Sequence, residues 1–208
     1  AARGGAGYVR LLTDDGDAPL SHAIVRRNGL DFGRAKAVLV GPGLGRDDGA
    51  RTRLTAALES GVAVVADADA LGLLADRKSG LPLPAITTPH AGEFAHLFGD
   101  SPGNKIDRTR SAAAGSGSVV VHKGPDTVIA APDGRVAVAP AASAWLSTAG
   151  TGDVLAGLCA ARLAVTGDPF GAACEAVWLH GEAARLAGQA FIADDLIARI
   201  PAALAQCL

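Results

Sequence analysis

The stretch Trp145 to Gly157 (WLSTAGTGDVLAG) sets one carboxylate, Asp153, just behind a glycine-rich turn and at the head of an apolar run. These residue types suit an anion. Gly150 and Gly152 let backbone N–H groups converge, Thr148 and Thr151 offer hydroxyls, and the positive end of a helix favours negative charge. If the anion is a phosphoryl group, Asp153 faces whatever hydroxyl approaches it. The helix end that holds a phosphate also favours ionised Asp153 and makes it a weak base, but loose phosphoryl transfer asks more for positioning than for basicity. A plain N-cap would equally place Thr and Asp here. The density of glycine before an apolar helix goes beyond what a cap requires.

Other residues gather in short motifs. HKGPDT puts Lys123 at a strand end before Gly124, where an ammonium meets a phosphate as a point charge or stays a solvated lysine in a turn. In DADAL, Asp67 and Asp69 either face a ligand or cap a helix. In TPHAGE, His90 and Glu93 either line a site or form a reciprocal helix cap, and His90 also fits a hydrogen-bonded core position. GPGLG around Gly43 is neither GxGxxG nor a GxxxxGK[ST] phosphate loop, so both of those readings fail. His22, His96, His122 and His180 lack transition-metal spacing, which leaves Mg²⁺ arriving with a nucleotide as the expected metal.

The elements that must position these residues follow from periodicity. Ala1 to Leu12 reads as a helix end, a glycine turn and a short strand; Ala37 to Val40 as a strand buried on both faces; Asp47 to Gly61 as a helix; and Val62 to Ala66 as the next strand. Ala85 to Thr88 is a strand cut off by Pro89, followed by amphipathic HAGEFAHLF. Gly99 to Arg110 is polar and poorly patterned, and a helical stretch then ends in GSGS. Val119 to Val121 is a buried-type strand, and Pro132-Asp133-Gly134 turns a hairpin between Thr127–Ala131 and Arg135–Ala139. Phe170 to Gly188 and Asp195 to Leu208 read as helices. Short buried strands alternating with helices predict an α/β layered fold with a mostly parallel sheet, whose strands' carboxyl ends collect all five motifs on one rim.

With 208 residues, 49% of them apolar, the chain suits one compact unit, residues 1–208, without repeat or linker. A net charge of -2 and 4% aromatics provide no footprint for nucleic acid. No apolar run approaches the roughly 20 residues of a membrane helix, and the N-terminus lacks a signal-peptide core, so a cytoplasmic protein with small-molecule partners is expected. Cys159, Cys174 and Cys207 are odd in number and without CxxC spacing, and packing is their expected duty. The chain contains no Met and opens in mid-pattern, from which an N-terminal strand region is expected to be missing.

Taken in order, GPGLG, DADAL, TPHAGE, VVVHKGPDTVIAAPDGRV, GTGDVLAG, AVWLHGEAA and ADDLIARIPAAL resemble the ADP/ATP-dependent NAD(P)H-hydrate dehydratases of the ribokinase-like superfamily, over nearly the whole chain. GTGD is shared with many ribokinase-like kinases; the other motifs are more restrictive. The resemblance implies a three-layer αβα sandwich with a mostly parallel central sheet, and dehydration of (6S)-hydrated NADH or NADPH at the expense of ADP or ATP with Mg²⁺; the alternatives are a ribokinase-like kinase of a small alcohol or vitamin precursor, or an inactive nucleotide-binding homologue. It implies that Lys123, Gly124, Pro125, Asp126 and Thr127 line the nucleotide phosphates and that Gly150, Thr151 and Gly152 form the anion-binding loop. Asp153 approaches the substrate hydroxyl as base or orienter; Gly43 and His90 contact the hydrated dinucleotide, with Asp67 and Glu93 as neighbours. A homo-oligomer is expected on the same grounds. The chain departs from the family at Ala142 and Ser143, where Asn is common, and at Ala149, where Gly is common; Ala149 is compatible with the loop if its φ is negative. The epimerase domain often fused ahead of this one has no counterpart in residues 1–208.

Overall fold

A computed structural model describes residues 1–13, 21–76 and 83–207. Strands β3 (Ala37–Val40), β4 (Ala63–Ala66), β5 (Ile86–Thr87), β6 (Val119–His122), β7 (Val128–Ala130) and β8 (Val136–Val138) form one six-stranded sheet in that spatial order. The pairs from β3 to β6 are parallel; β6 to β8 is antiparallel, the predicted hairpin at its end. Strands β1 (Val9–Leu12) and β2 (Ile24–Arg27) pair in parallel as a separate ribbon. A cleft of about 1270 Å³ lies between that ribbon and β3.

Alternation along the strands divides the core into two faces. Val65, Val119, Val121 and Ile129 pack with apolar residues of α5 (Thr151–Thr166), α6 (Pro169–Ala187) and α7 (Ala193–Leu204). Their sequence neighbours point the other way: Val64 and Ala66 meet α1 (Asp48–Glu59) and α2 (Asp69–Ala75), and Val120 and Ala130 meet α3 (Ala91–Phe98) and α4 (Lys105–Ser116). Period-2 strands sandwiched between two helical layers make the three-layer αβα arrangement. Ala160 of α5 and Ala172, Ala173, Ala176 and Ala183 of α6 are buried in the same core cluster as Val65 and Val121, where small side chains let helices approach closely.

Two expectations are corrected. Strand β3 is not buried on both faces: only Val40 is buried, and Ala37, Val38 and Leu39 are half-exposed, because β3 is an edge of the six-stranded sheet. The poorly patterned Gly99–Arg110 segment contains the start of α4, whose N-cap Asn104 accepts from the Asp107 N–H (3.0 Å) and stands just before Lys105. Its apolar stripe is too thin to register as periodicity. Cys159 is buried in the core as expected, whereas Cys207 is exposed in the short 3₁₀ turn after α7. The end of the expected C-terminal helix at Leu208 lies outside the described residues.

Candidate active site

Because β3 to β6 are parallel, their carboxyl ends lie on one edge, and Gly41, Asp67, Thr88 and Lys123 follow those ends directly. The motifs scattered through the sequence meet there. Lys123 is the hub: its Nζ lies 2.9 Å from Asp67 Oδ1 and 3.8 Å from Glu93 Oε2, with the Asp67 side chain 2% exposed and that of Lys123 18%. A Cβ on Gly152 would stand 3.5 Å from the same ammonium, so Lys123 rests against the first turn of α5. The lysine is thus drawn into the rim by two carboxylates.

The DADAL turn is bent sharply to do this. Ala68 adopts φ 48° and ψ -122°, a conformation costly for a residue with a side chain, and so aims Asp67 and Asp69 at different loops. Asp67 meets Lys123. Asp69 accepts from the Gly45 N–H at 3.1 Å and Arg46 Nε at 3.2 Å, which ties down the GPGLG loop. Gly41 at the root of that loop has φ +133°, and a Cβ there would stand 1.7 Å from the Asp67 carbonyl oxygen, so only glycine fits. Gly43, two residues on, is exposed with open space around its Cα.

His90 and Glu93 form the reciprocal cap. His90 Nδ1 accepts from the Gly92 and Glu93 N–H groups, at 3.0 and 3.2 Å, and Glu93 Oε2 accepts from the His90 N–H at 2.8 Å. The cap does not compete with a place in the site, since the same Glu93 carboxylate reaches toward Lys123 and the His90 ring stays exposed. Beneath it, His122 stacks on Phe94 with centroids 4.0 Å apart. Its Nδ1 lies 3.1 Å from Thr109 Oγ1, and burial, with Lys105 and Arg108 nearby, depresses its pKa to about 4.

The GTGD loop enters α5 through Gly150 in the left-handed region (φ 85°), beside Ala193 of α7. No side chain caps this helix, so the Gly152 and Asp153 amides remain for a ligand. Thr151 does not offer its hydroxyl: Oγ1 is buried, 2.6 Å from the Leu146 carbonyl and 2.8 Å from that of Thr148, and shapes the loop from inside. His180 of α6 supports the same residue, its Nε2–H donating to the Thr151 carbonyl at 2.9 Å. Burial lowers the His180 pKa to about 4 and keeps the ring neutral. Ala149 is not among the positive-φ residues, so a side chain is tolerated there.

Asp153 stands exposed at the mouth. Partial loss of water around its carboxyl, then the Asp67 charge, raise its pKa, and Lys123 opposes them. In the KGPDT loop, Gly124, Pro125 and Asp126 are exposed, and Thr127 Oγ1 donates to the Gly124 carbonyl at 3.1 Å. Sequence reasoning missed Gly41, Lys105 and the structural duties of Asp69 and His180. The glycine in GPGLG and the histidine in AVWLHGEAA were visible, but only their tertiary neighbours show what they touch.

Among the described residues no group of three or more His, Cys, Asp or Glu side chains converges on a metal position. Asp67 and Asp153 carry the carboxylate oxygens that a hard cation takes, and Asp67 is paired with Lys123. No helix among the described residues is long and apolar enough to cross a membrane.

The family model for NAD(P)H-hydrate dehydratase matches residues 1–204. A bifunctional NAD(P)H-hydrate repair enzyme, Nnr, of Mycobacterium tuberculosis is 46% identical over 145 residues, 68% of this chain and 30% of that protein. The ADP-dependent (S)-NAD(P)H-hydrate dehydratase of Neisseria meningitidis is 36% identical over 86% of this chain and 61% of its own length. The chain therefore spans about a third of the first relative and less than two thirds of the second. Among solved structures, ADP/ATP-dependent NAD(P)H-hydrate dehydratase from Bacillus subtilis, co-crystallized with ATP/Mg2+, superimposes with TM-score 0.78 at 28% identity, covering 88% of this chain and 72% of that one. A ribokinase-like superfamily protein from Enterococcus faecalis superimposes with TM-score 0.81 at 23% identity, over 98% of this chain and 78% of its own, and so shares the fold. With its sheet, its rim and a family match over residues 1–204, the chain belongs to the NAD(P)H-hydrate dehydratase family, on the ribokinase-like fold.

Proposed function

We propose that this chain restores hydrated NADH or NADPH to the reduced dinucleotide at the expense of ADP or ATP. One observation carries the reading: Lys123 Nζ sits 2.9 Å from buried Asp67 and against Gly152 at the uncapped head of α5, with Asp153 on the same turn. A cation, free amides and a carboxylate of raised pKa are what transfer of a phosphoryl group to a hydroxyl requires.

Hydroxide is a poor leaving group. Transfer of the terminal phosphoryl group to the ring C6 hydroxyl converts it into a phosphate ester; the ring nitrogen lone pair then expels phosphate to leave an iminium, and loss of a proton from C5 to solvent forms the C5=C6 bond of the dihydronicotinamide. The products are NAD(P)H, phosphate, and AMP from ADP or ADP from ATP. Asp153 takes the hydroxyl proton or orients it; its raised pKa suits the first role. Lys123 and the Gly150, Thr151 and Gly152 backbone hold the phosphoryl oxygens, with Gly124, Pro125, Asp126 and Thr127 along the remaining phosphates. Gly43, His90, Asp67 and Glu93 face the hydrated dinucleotide. Mg²⁺ bound with the nucleotide would supply charge neutralisation of the phosphates, beside Asp153 and Asp67.

Incubating the protein with hydrated NADH, Mg²⁺ and either ADP or ATP tests this by recovery of dihydronicotinamide absorbance. Recovery with Asp153→Asn nearly inactive is expected. No recovery with either nucleotide overturns the reading, and a stable phosphorylated product without elimination makes the protein a kinase. We also propose a cytoplasmic location and a homo-oligomer, the exposed apolar Trp178 of α6 and Ile197 of α7 supporting the second as interface material.

A further inference from the structure

A carboxylate in a loop that faces phosphates is an electrostatic liability, and the KGPD loop carries one, Asp126. The structure supplies its remedy from an element the sequence left unpatterned. Lys105 is the first residue of α4, held in place by the Asn104 cap. One turn later, Thr109 Oγ1 donates to the Lys105 carbonyl at 2.7 Å and meets His122 Nδ1, pinning α4 to the end of β6. From there the Lys105 side chain, 22% exposed, reaches under the loop. Its Nζ donates to the Asp126 carbonyl at 2.8 Å, Asp126 Oδ1 at 2.9 Å and the Lys123 carbonyl at 3.4 Å. A Cβ on Gly124 would stand 2.5 Å from that ammonium, so the glycine makes room for it.

We infer that Lys105 is a positioning residue for the nucleotide, holding the Lys123–Asp126 loop in its anion-accepting shape and neutralising Asp126. In a trans peptide the C=O and N–H point in opposite directions. With the Lys123 and Asp126 carbonyls turned onto Lys105, the Gly124 and Thr127 N–H groups point away from that ammonium, and outward backbone N–H groups of a turn are the donors that anions take. The ammonium also cancels the carboxylate charge that would otherwise repel a phosphate. This rests on the reading that the loop binds nucleotide, so its test uses nucleotide binding as well as turnover.

Calorimetric titration of ADP with Mg²⁺ into the parent, Lys105→Met, Lys105→Arg, Lys123→Met and the double variant Lys105→Met/Asp126→Asn separates the outcomes. Losing charged hydrogen bonds predicts a drop of about tenfold in ADP affinity for Lys105→Met. Lys105→Arg recovers most of the loss, and the double variant recovers part of it because no bare carboxylate remains. In turnover, the KM for nucleotide rises while the KM for the hydrate and the kcat at saturation hold; a general folding defect would lower kcat and the melting temperature together. Unchanged ADP affinity in Lys105→Met, while Lys123→Met has lost binding, overturns the inference. If Lys123→Met also binds ADP normally, the nucleotide reading itself fails. Lys105→Gln replaces Lys105→Met if the latter does not fold.

Discussion

The Lys123–Asp67 pair can be tested without any substrate, because its two members are unequally placed. Asp67 is 2% exposed in its side chain, Lys123 18%, and Lys123 has a second carboxylate, Glu93, at 3.8 Å. Replacing Lys123 with Met strands a buried charge beside Asp153, and breaking a buried pair in this way costs about 3–5 kcal/mol. Replacing Asp67 with Asn leaves an acceptor for the lysine, which keeps Glu93 and some water, so a cost of about 1–2 kcal/mol is expected. For a chain of this size a urea slope of about 2 kcal/mol per molar turns these into midpoint shifts of roughly 2 M and under 1 M. The double variant removes both charges and should unfold well above the midpoint expected from adding the two losses. Urea unfolding followed by circular dichroism at neutral pH measures all three. A larger loss in Asp67→Asn than in Lys123→Met, or simple additivity, would refute the claim that a buried carboxylate holds the lysine in place.

Other consequences follow from the same geometry. His122 and His180 are neutral in the fold with pKa values near 4, against 6.5 when free, so the unfolded chain binds protons that the folded one does not. Stability is complete above about pH 6.5 and falls as the pH drops toward 4, by about 1.4 kcal/mol per pH unit for each histidine; a urea midpoint that is flat over this window would rule this out. Asp153→Asn should lower turnover by about a hundredfold or more while ADP still binds, and Asp67→Asn should move the acid limb of the rate profile to lower pH, since Asp67 raises the Asp153 pKa. Gly41→Ala places a methyl carbon against the Asp67 carbonyl at a positive φ and should give little soluble protein; a normally stable variant would show that the loop can move. Cys159, fully buried with a pKa pushed up to about 12, should stay unmodified by thiol reagents that label Cys207 in the native protein.

The layered α/β architecture and the hairpin were legible in the amino-acid sequence, and so were the motifs that the fold brings to one rim, because those depend on local periodicity and on short motifs. The apolar runs Ala37–Val40 and Val119–Val121, the Pro-Asp-Gly turn and the glycines before Asp153 constrain the chain within a few residues of themselves. The sequence could not decide between a helix cap and a site for His90 and Glu93, and the structure shows one carboxylate serving the cap and reaching Lys123 together. Nor could it show that the Thr151 hydroxyl turns inward, that β3 lies at an edge, or that Lys105 lies beneath a loop separated from it by a strand. Each of these is set by contacts between residues distant in the chain, where parallel strands bring their carboxyl ends to one rim. The charge on Asp153 shows this most clearly: partial desolvation and Asp67, which precedes it by four strands, raise its pKa, and Lys123 opposes them. Tertiary structure decides there because the desolvation and the neighbouring charges come from residues that only the fold brings beside Asp153.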